Sequence, residues 1–167
     1  NKSSKNFTPD GKNIRFGLLA IKNIGDKIAE AIVDVRGRGG PFKSFEELLT
    51  RVQHKDLNKK SLEALMKSGA LDLLGLERNT GISNIDEILE FVSRARKNTG
   101  AFENSLFRGA TFASSSLKLK ETTPATTKER LAWEKELLGL YISDHPLKSY
   151  AEEFKKYNIR EIKEVIA

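Results

Sequence analysis

The sequence has no cysteine, one tryptophan, one methionine, four prolines and two histidines in 167 residues. Without cysteine there is no disulfide framework, thiolate metal site, cysteine nucleophile or iron–sulfur cluster. His54 and His145 stand far apart and neither lies in a ligand-spaced motif, so the sequence gives no pattern for a zinc centre. No apolar run approaches the ~20 residues a membrane helix needs. The chain opens Asn1-Lys2-Ser3-Ser4-Lys5, with no initiating Met and no signal-peptide layout, and is read as cut from something longer. What is present is a globular composition, 38% apolar and 31% charged. That suffices to bury the core of one domain, or of one domain with an appendage.

Acidic excess is also missing. The formal net charge is +6, and its placement is uneven. Residues 1–72 hold 14 Lys and Arg against 9 Asp and Glu, residues 73–117 hold 5 against 5, and residues 118–167 hold 10 against 9. A basic N-terminal part points to a polyanion, nucleic acid before membrane, because no strongly amphipathic basic helix accompanies it. An ordinary solvated surface remains the alternative on charge alone.

Turn and cap residues divide the chain. Thr8-Pro9-Asp10-Gly11-Lys12 reads as a turn, with Asn13-Ile14-Arg15-Phe16 as a short strand after it. Gly17 to Ile21 is a short apolar stretch, and Asp26 to Arg36 carries Ile28, Ala29, Ile32 and Val35 at helical spacing. Gly37, Gly39, Gly40 and Pro41 stop that helix. Ser44 with Glu47, Ser83 with Asp86, and Thr126 with Glu129 have the spacing of capping boxes. Asn58 is placed to cap a further helix bearing Leu62, Leu65 and Met66. The helix after Ser83 is expected to end at the basic run Arg94-Ala95-Arg96-Lys97. Residues 98–125 lose periodicity and read as a long loop. Leu131, Leu137, Leu138 and Tyr141 follow, with Trp133 and Tyr141 read as packing residues. His145-Pro146 shapes the entry to a last helix with Leu147, Tyr150, Ala151 and Phe154. The whole reads as mostly α.

Gly17 to Arg36 is the informative stretch: a short helix, the tight turn Asn23-Ile24-Gly25, then a longer helix. Such a turn aims successive backbone amides outward at a helix N-terminus, where a phosphate oxygen is stabilised. Gly25 leaves room for a sugar–phosphate backbone. Asn23 readily visits left-handed φ/ψ, Ile24 anchors the turn in the core, and Lys22 and Lys27 flank it. Contacts of this kind carry no base information. A plain αα-hairpin is the alternative. Phe45 to Val52, followed by Asn58, Lys59 and Lys60 ahead of Ser61-Leu62, repeats the pattern without a glycine. Two such units could grip both strands across a minor groove.

These phrases, taken in order, resemble the bacterial DNA polymerase III alpha subunit, the replicative type-C polymerase family. The carriers are Ile14-Arg15-Phe16-Gly17-Leu18, Ala20-Ile21-Lys22-Asn23-Ile24-Gly25, Gly40-Pro41-Phe42-Lys43-Ser44 and Asn58-Lys59-Lys60-Ser61-Leu62. Lys67-Ser68-Gly69-Ala70-Leu71-Asp72 and Glu134 to Leu147 add to them. The resemblance implies a mostly α fold: a tandem helix-hairpin-helix domain with a short N-terminal β-hairpin or extended segment, a long loop and C-terminal helices. It assigns 1–16 to the end of the fingers, 17–73 to the tandem domain, 74–99 to an additional helix and 100–126 to the loop. Residues 127–167 then lead toward an oligonucleotide-binding fold. The implied phosphate-binding residues are Lys22, Asn23, Ile24, Gly25, Lys27, Asn58, Lys59 and Lys60.

The family's catalytic aspartates would lie upstream of Asn1, so this stretch is expected to bind duplex DNA without polymerising it, with no cofactor or metal of its own. Glu103-Asn104-Ser105-Leu106-Phe107 resembles the family's sliding-clamp-binding peptide, with Glu103 where the pattern has Gln. Leu106 and Phe107 would be paired apolar anchors; the bland alternative tucks them onto the domain. Implied partners are the backbone of double-stranded DNA, the beta sliding clamp and other replicase subunits, in the bacterial cytoplasm and away from any membrane. An adaptor that works through the clamp peptide alone, with the hairpins as scaffold, is the competing reading. An independent enzyme would need a nucleophile–base pair or metal cluster that the sequence does not display.

Overall fold

The structure, a computed structural model, describes residues 1–103 and 116–159. At the N-terminus, Gly11 takes φ +62° and lets the chain reverse. Strand β1 (Thr8–Asp10) therefore pairs antiparallel with β2 (Asn13–Arg15), Thr8 opposite Arg15. The segment before the hairpin lies across Gly17: the Leu18 and Leu19 amides donate to the Ser4 and Lys5 carbonyls at 2.9 and 3.1 Å. A Cβ at Gly17 would fall 2.6 Å from the Asn6 Cα, so only glycine permits this approach.

A single 3-10 turn (Leu18–Ala20) leads into α1 (Asp26–Gly39), which buries Ile28, Ala29 and Ile32. The helix runs past Arg36, where its end was expected, because Arg51 donates to the Val35 and Gly40 carbonyls at 2.8 and 3.0 Å and holds the last turn. Arg51 closes α2 (Phe45–Arg51). Ser44 caps α2 as expected, accepting from the Glu47 amide at 3.1 Å. The reciprocal half of that box is replaced: the Glu47 carboxylate accepts from the Lys43 amide at 2.7 Å and from Arg51 at 2.8 Å. Helix α3 (Lys59–Lys67) has a complete box, with Asn58 and Ser61 exchanging side-chain and backbone bonds at 3.2 and 2.9 Å.

The largest departure from expectation follows a 3-10 turn at Asp72–Leu74. Ser83 starts no helix; it ends a separate short one, α4 (Arg78–Ser83), capped by Glu77. Helix α5 (Ile85–Glu103) then continues beyond Lys97. Asn84 between them is buried, donating to the Thr80 and Lys120 carbonyls and accepting from the Lys120 amide at 2.8 Å. That peptide-like pairing straps residues 116–125 along α4, aided by Asn79 to the Thr123 carbonyl and the Ala125 amide to Glu77. The stretch read as a loop therefore begins as helix and ends as an ordered strap. Helix α6 (Thr127–Leu138) opens with the expected Thr126–Glu129 box and ends at Gly139, φ +77°. His145 accepts from the Leu147 amide and caps the turn Pro146–Tyr150, which runs into α7 (Ala151–Lys156). Trp133 is half-buried, and Tyr141, though at the surface, packs edge-on against His145 with ring centroids 6.0 Å apart.

One continuous core joins α1 to α6, with Ile28, Leu49, Leu62, Leu65 and Ile88 at its centre, and α7 buries no residue in it. Two charges lie inside it. Arg78 donates to Asp72, to the Lys67 carbonyl and to Glu134, the last at 3.1 Å; Glu134 also accepts from the Ile142 and Ser143 amides at 2.8 and 2.9 Å. Burial works to raise the Glu134 carboxyl, but these amides and the guanidinium outweigh it and hold the group below its ordinary range. Glu134→Ala should lower the unfolding free energy by about 3–5 kcal/mol, because Arg78 is left buried without its partner. Because the folded-state value is depressed, the contribution is full above the unfolded value of about 4.3 and is lost as pH falls through the native one. Acid-unfolding curves check this: the parent should show that loss and Glu134→Gln should lack it.

Candidate nucleic-acid interface

The two turns named from sequence fold alike. In each, an apolar residue enters the core immediately before the N-cap: Ile24 before Gly25, and Leu57 before Asn58. Burial of that side chain fixes the turn, and the polar residues on either side are forced outward. Lys22, Asn23, Gly25 and Lys27 are exposed at the first turn, and Asn58, Lys59 and Lys60 at the second. Both N-caps are extended, with φ −84° at Gly25 and −116° at Asn58.

Asn23 takes φ +71°, the left-handed conformation expected of it. Gly25 does not need glycine for its backbone, and a Cβ there would meet nothing within 4 Å. The space in front of the turn is open. The Gly25, Asp26 and Lys27 amides have no hydrogen-bond partner among the described residues, as the first turn of a helix leaves them. With the helix dipole behind them, they form a local positive end.

Not every implied residue offers a free group. The Ile24 amide donates to the Ile21 carbonyl, so Ile24 contributes only its anchor. The Lys22 amide donates 2.9 Å to the Leu137 carbonyl of α6, leaving the side chain as its outward group. The Asn58 amide and carboxamide are both engaged by Ser61, so the second turn presents the Lys59 and Lys60 amides instead. Glu103 of the clamp-like peptide closes α5; Asn104, Ser105, Leu106 and Phe107 lie outside the described residues. Among the described residues no group of His, Asp and Glu is placed to hold a metal ion, and no helix is long and apolar enough to cross a membrane.

Each turn also carries an ion pair that local patterns do not reveal. Lys5 reaches Asp26 at 2.7 Å, and that hydrogen bond holds the Lys5 ammonium above its ordinary value. Lys59 reaches Asp86 of α5 at 3.3 Å. These partners are 21 and 27 residues apart, beyond any helical spacing. Lys22, Lys27 and Lys60 are in no ion pair among the described residues.

Residues 1–81 match the helix-hairpin-helix motif family. Over 154 residues the chain is 38% identical to a DNA polymerase III subunit alpha of Borreliella burgdorferi, covering 90% of this chain and 13% of the relative. It is 37% identical to that of Thermus aquaticus over 150 residues, covering 90% and 12%. For Pseudomonas aeruginosa the figures are 33% over 187 residues, covering 99% and 16%. The chain matches a segment of the bacterial DNA polymerase III alpha subunit. It spans between 12% and 16% of the length of these three relatives, and both turns fall inside the matched motif.

At the two turns the Asp26 and Asp86 carboxylates lie beside the exposed lysines and would oppose an incoming anion. Asp26→Asn and Asp86→Asn should each tighten binding of a blunt duplex at low salt, by releasing Lys5 or Lys59. Thermal unfolding midpoints should stay close to the parent's, since both pairs are solvent-exposed. Fluorescence anisotropy beside thermal melts reads both outcomes.

Proposed function

We propose that this segment grips the phosphate backbone of duplex DNA, without reading sequence, for a replicative DNA polymerase of the DNA polymerase III alpha type. The observation that carries the reading is the repeated turn: a buried apolar anchor, an extended N-cap, and exposed amides with lysines beside them. Helix N-termini stabilise phosphate oxygens through aligned N–H groups, and contacts made by backbone amides and lysines fix register rather than base identity. Polymerisation would be the work of other parts of such a polymerase, and this segment would hold the duplex with no cofactor of its own.

The clamp-like peptide supplies a second role that rests on sequence resemblance. Leu106 and Phe107 would insert into the pocket of a beta sliding clamp, and the acid at Glu103 would weaken the contact relative to a neutral amide. The setting would be the bacterial cytoplasm, with the other replicase subunits reached through the parent chain.

Duplex affinity should fall steeply with salt and be indifferent to base sequence. Two turns making ~4 phosphate contacts give a log–log salt slope of roughly −3 to −4, at about −0.9 per phosphate. Gly25→Ala should weaken duplex binding while leaving the fold intact, since its φ is ordinary and its Cβ meets no atom of the chain. Unchanged affinity in a folded Gly25→Ala sample would reject the first turn as a phosphate site. Phe107→Ala should abolish capture by an immobilised clamp and spare duplex binding; loss of both would make Phe107 structural.

A further inference from the structure

The second hairpin has no glycine, yet its turn is as sharply set as the first. Residues 54–57 close through the Leu57 amide to the His54 carbonyl at 3.0 Å. The Asp56 carbonyl accepts from the Ser61 hydroxyl at 2.6 Å. The remaining inward carbonyls are taken by a residue some forty positions away. Arg96 of α5 donates through Nη2 to both the His54 carbonyl and the Leu57 carbonyl, the latter at 3.1 Å. Arg96 is half-buried, and no carboxylate pairs with it among the described residues.

This contact acts on the orientation of the peptide planes. The Leu57 carbonyl and the Asn58 amide belong to one trans peptide and point to opposite sides. Holding the carbonyl on Arg96 therefore fixes the amide toward Ser61. The N-cap geometry of Asn58 follows, and with it the outward aim of the Lys59 and Lys60 amides. A guanidinium suits the task because it stays charged and carries several donors in one plane. Its uncancelled charge also sits behind the N-terminus of α3, adding to the positive potential there.

We propose that Arg96 is the positioning residue of the second phosphate-binding turn. It acts from α5, outside residues 1–81 that match the helix-hairpin-helix motif. The binding unit then extends through α5, and Arg96, well inside that helix, braces the turn rather than closing a helix end. The inference rests on the duplex-binding reading above.

The test uses the full chain with Arg96→Ala, Arg96→Lys, Lys60→Gln, and Lys60→Gln combined with Arg96→Ala. Each is titrated with a blunt duplex at several salt concentrations, with circular dichroism confirming the fold. Arg96→Ala should weaken binding by roughly five- to tenfold at low salt and flatten the salt slope by about 2, the loss of two phosphate contacts. Arg96→Lys, which keeps a donor and the charge, should recover part of both. Adding Lys60→Gln to Arg96→Ala should cost less than Lys60→Gln alone, because groups acting through one site are not additive. A folded Arg96→Ala variant with the parent's slope overturns the proposal, as does full additivity with Lys60→Gln. If Arg96→Ala does not fold, Arg96→Lys decides: an unchanged slope in that variant, despite loss of the two-carbonyl geometry, overturns the brace. A folded parent that binds no duplex even at low salt overturns the duplex reading itself, and with it this role for Arg96.

Discussion

The buried Arg78–Glu134 pair is the constraint on which the arrangement of the helices depends. Arg78 opens α4 and Glu134 lies in α6, 56 positions later, and each is nearly sealed from solvent. Two charges in a core are tolerated only when every donor and acceptor is engaged. Here Asp72, the Lys67 carbonyl and the amides of Ile142 and Ser143 complete the set. The cluster therefore fixes the end of α3, the start of α4, the face of α6 and the chain beyond Gly139 in one stroke. A shift of any of these elements would leave a charge without its partner.

That constraint reaches the first hairpin turn. With α6 held through Glu134, its last turn presents the Leu137 carbonyl to the Lys22 amide, and Leu137 itself enters the core. The second turn is tied to α5 in an analogous way. Both hairpin turns are thus supported from behind by helices that follow the hairpins in sequence, while Ile24 and Leu57 hold them from within. Preorganisation of this kind matters for a backbone grip. Amides already aimed at a phosphate need no further ordering when the ligand arrives.

The strap at residues 116–125 follows the same logic of side chains substituting for a sheet or helix partner. Asn84 offers a carboxamide with the same donor and acceptor as a peptide group, and the Lys120 backbone pairs with it as it would with a strand. Glu46, Asn79 and Glu77 take further backbone groups along the strap. A stretch that lacks periodicity thereby gains a fixed path without regular structure of its own.

Much of this was legible in the sequence because it depends on neighbours in the chain. Gly11 in a turn, Asn23 in left-handed φ/ψ, the Thr126–Glu129 box, the Asn58 cap and the apolar faces of α1 and α3 all follow from spacings of a few residues. So did the two hairpin turns and their outward lysines. Where the sequence misled, a competing partner had intervened, near in the chain or far from it. Glu47 left its box for Lys43 and Arg51, four residues to either side, and Ser83 ended a helix whose following residue, Asn84, pairs with the strap. The ion pairs at Asp26 and Asp86, the Arg96 contact and the Arg78–Glu134 pair lie at separations where no local pattern exists. The sequence by itself determined which segments turn, cap and bury an apolar face, since those are short-range preferences. Only the tertiary structure decided which charges meet and which amides remain free, because those depend on three-dimensional neighbours that packing alone brings together.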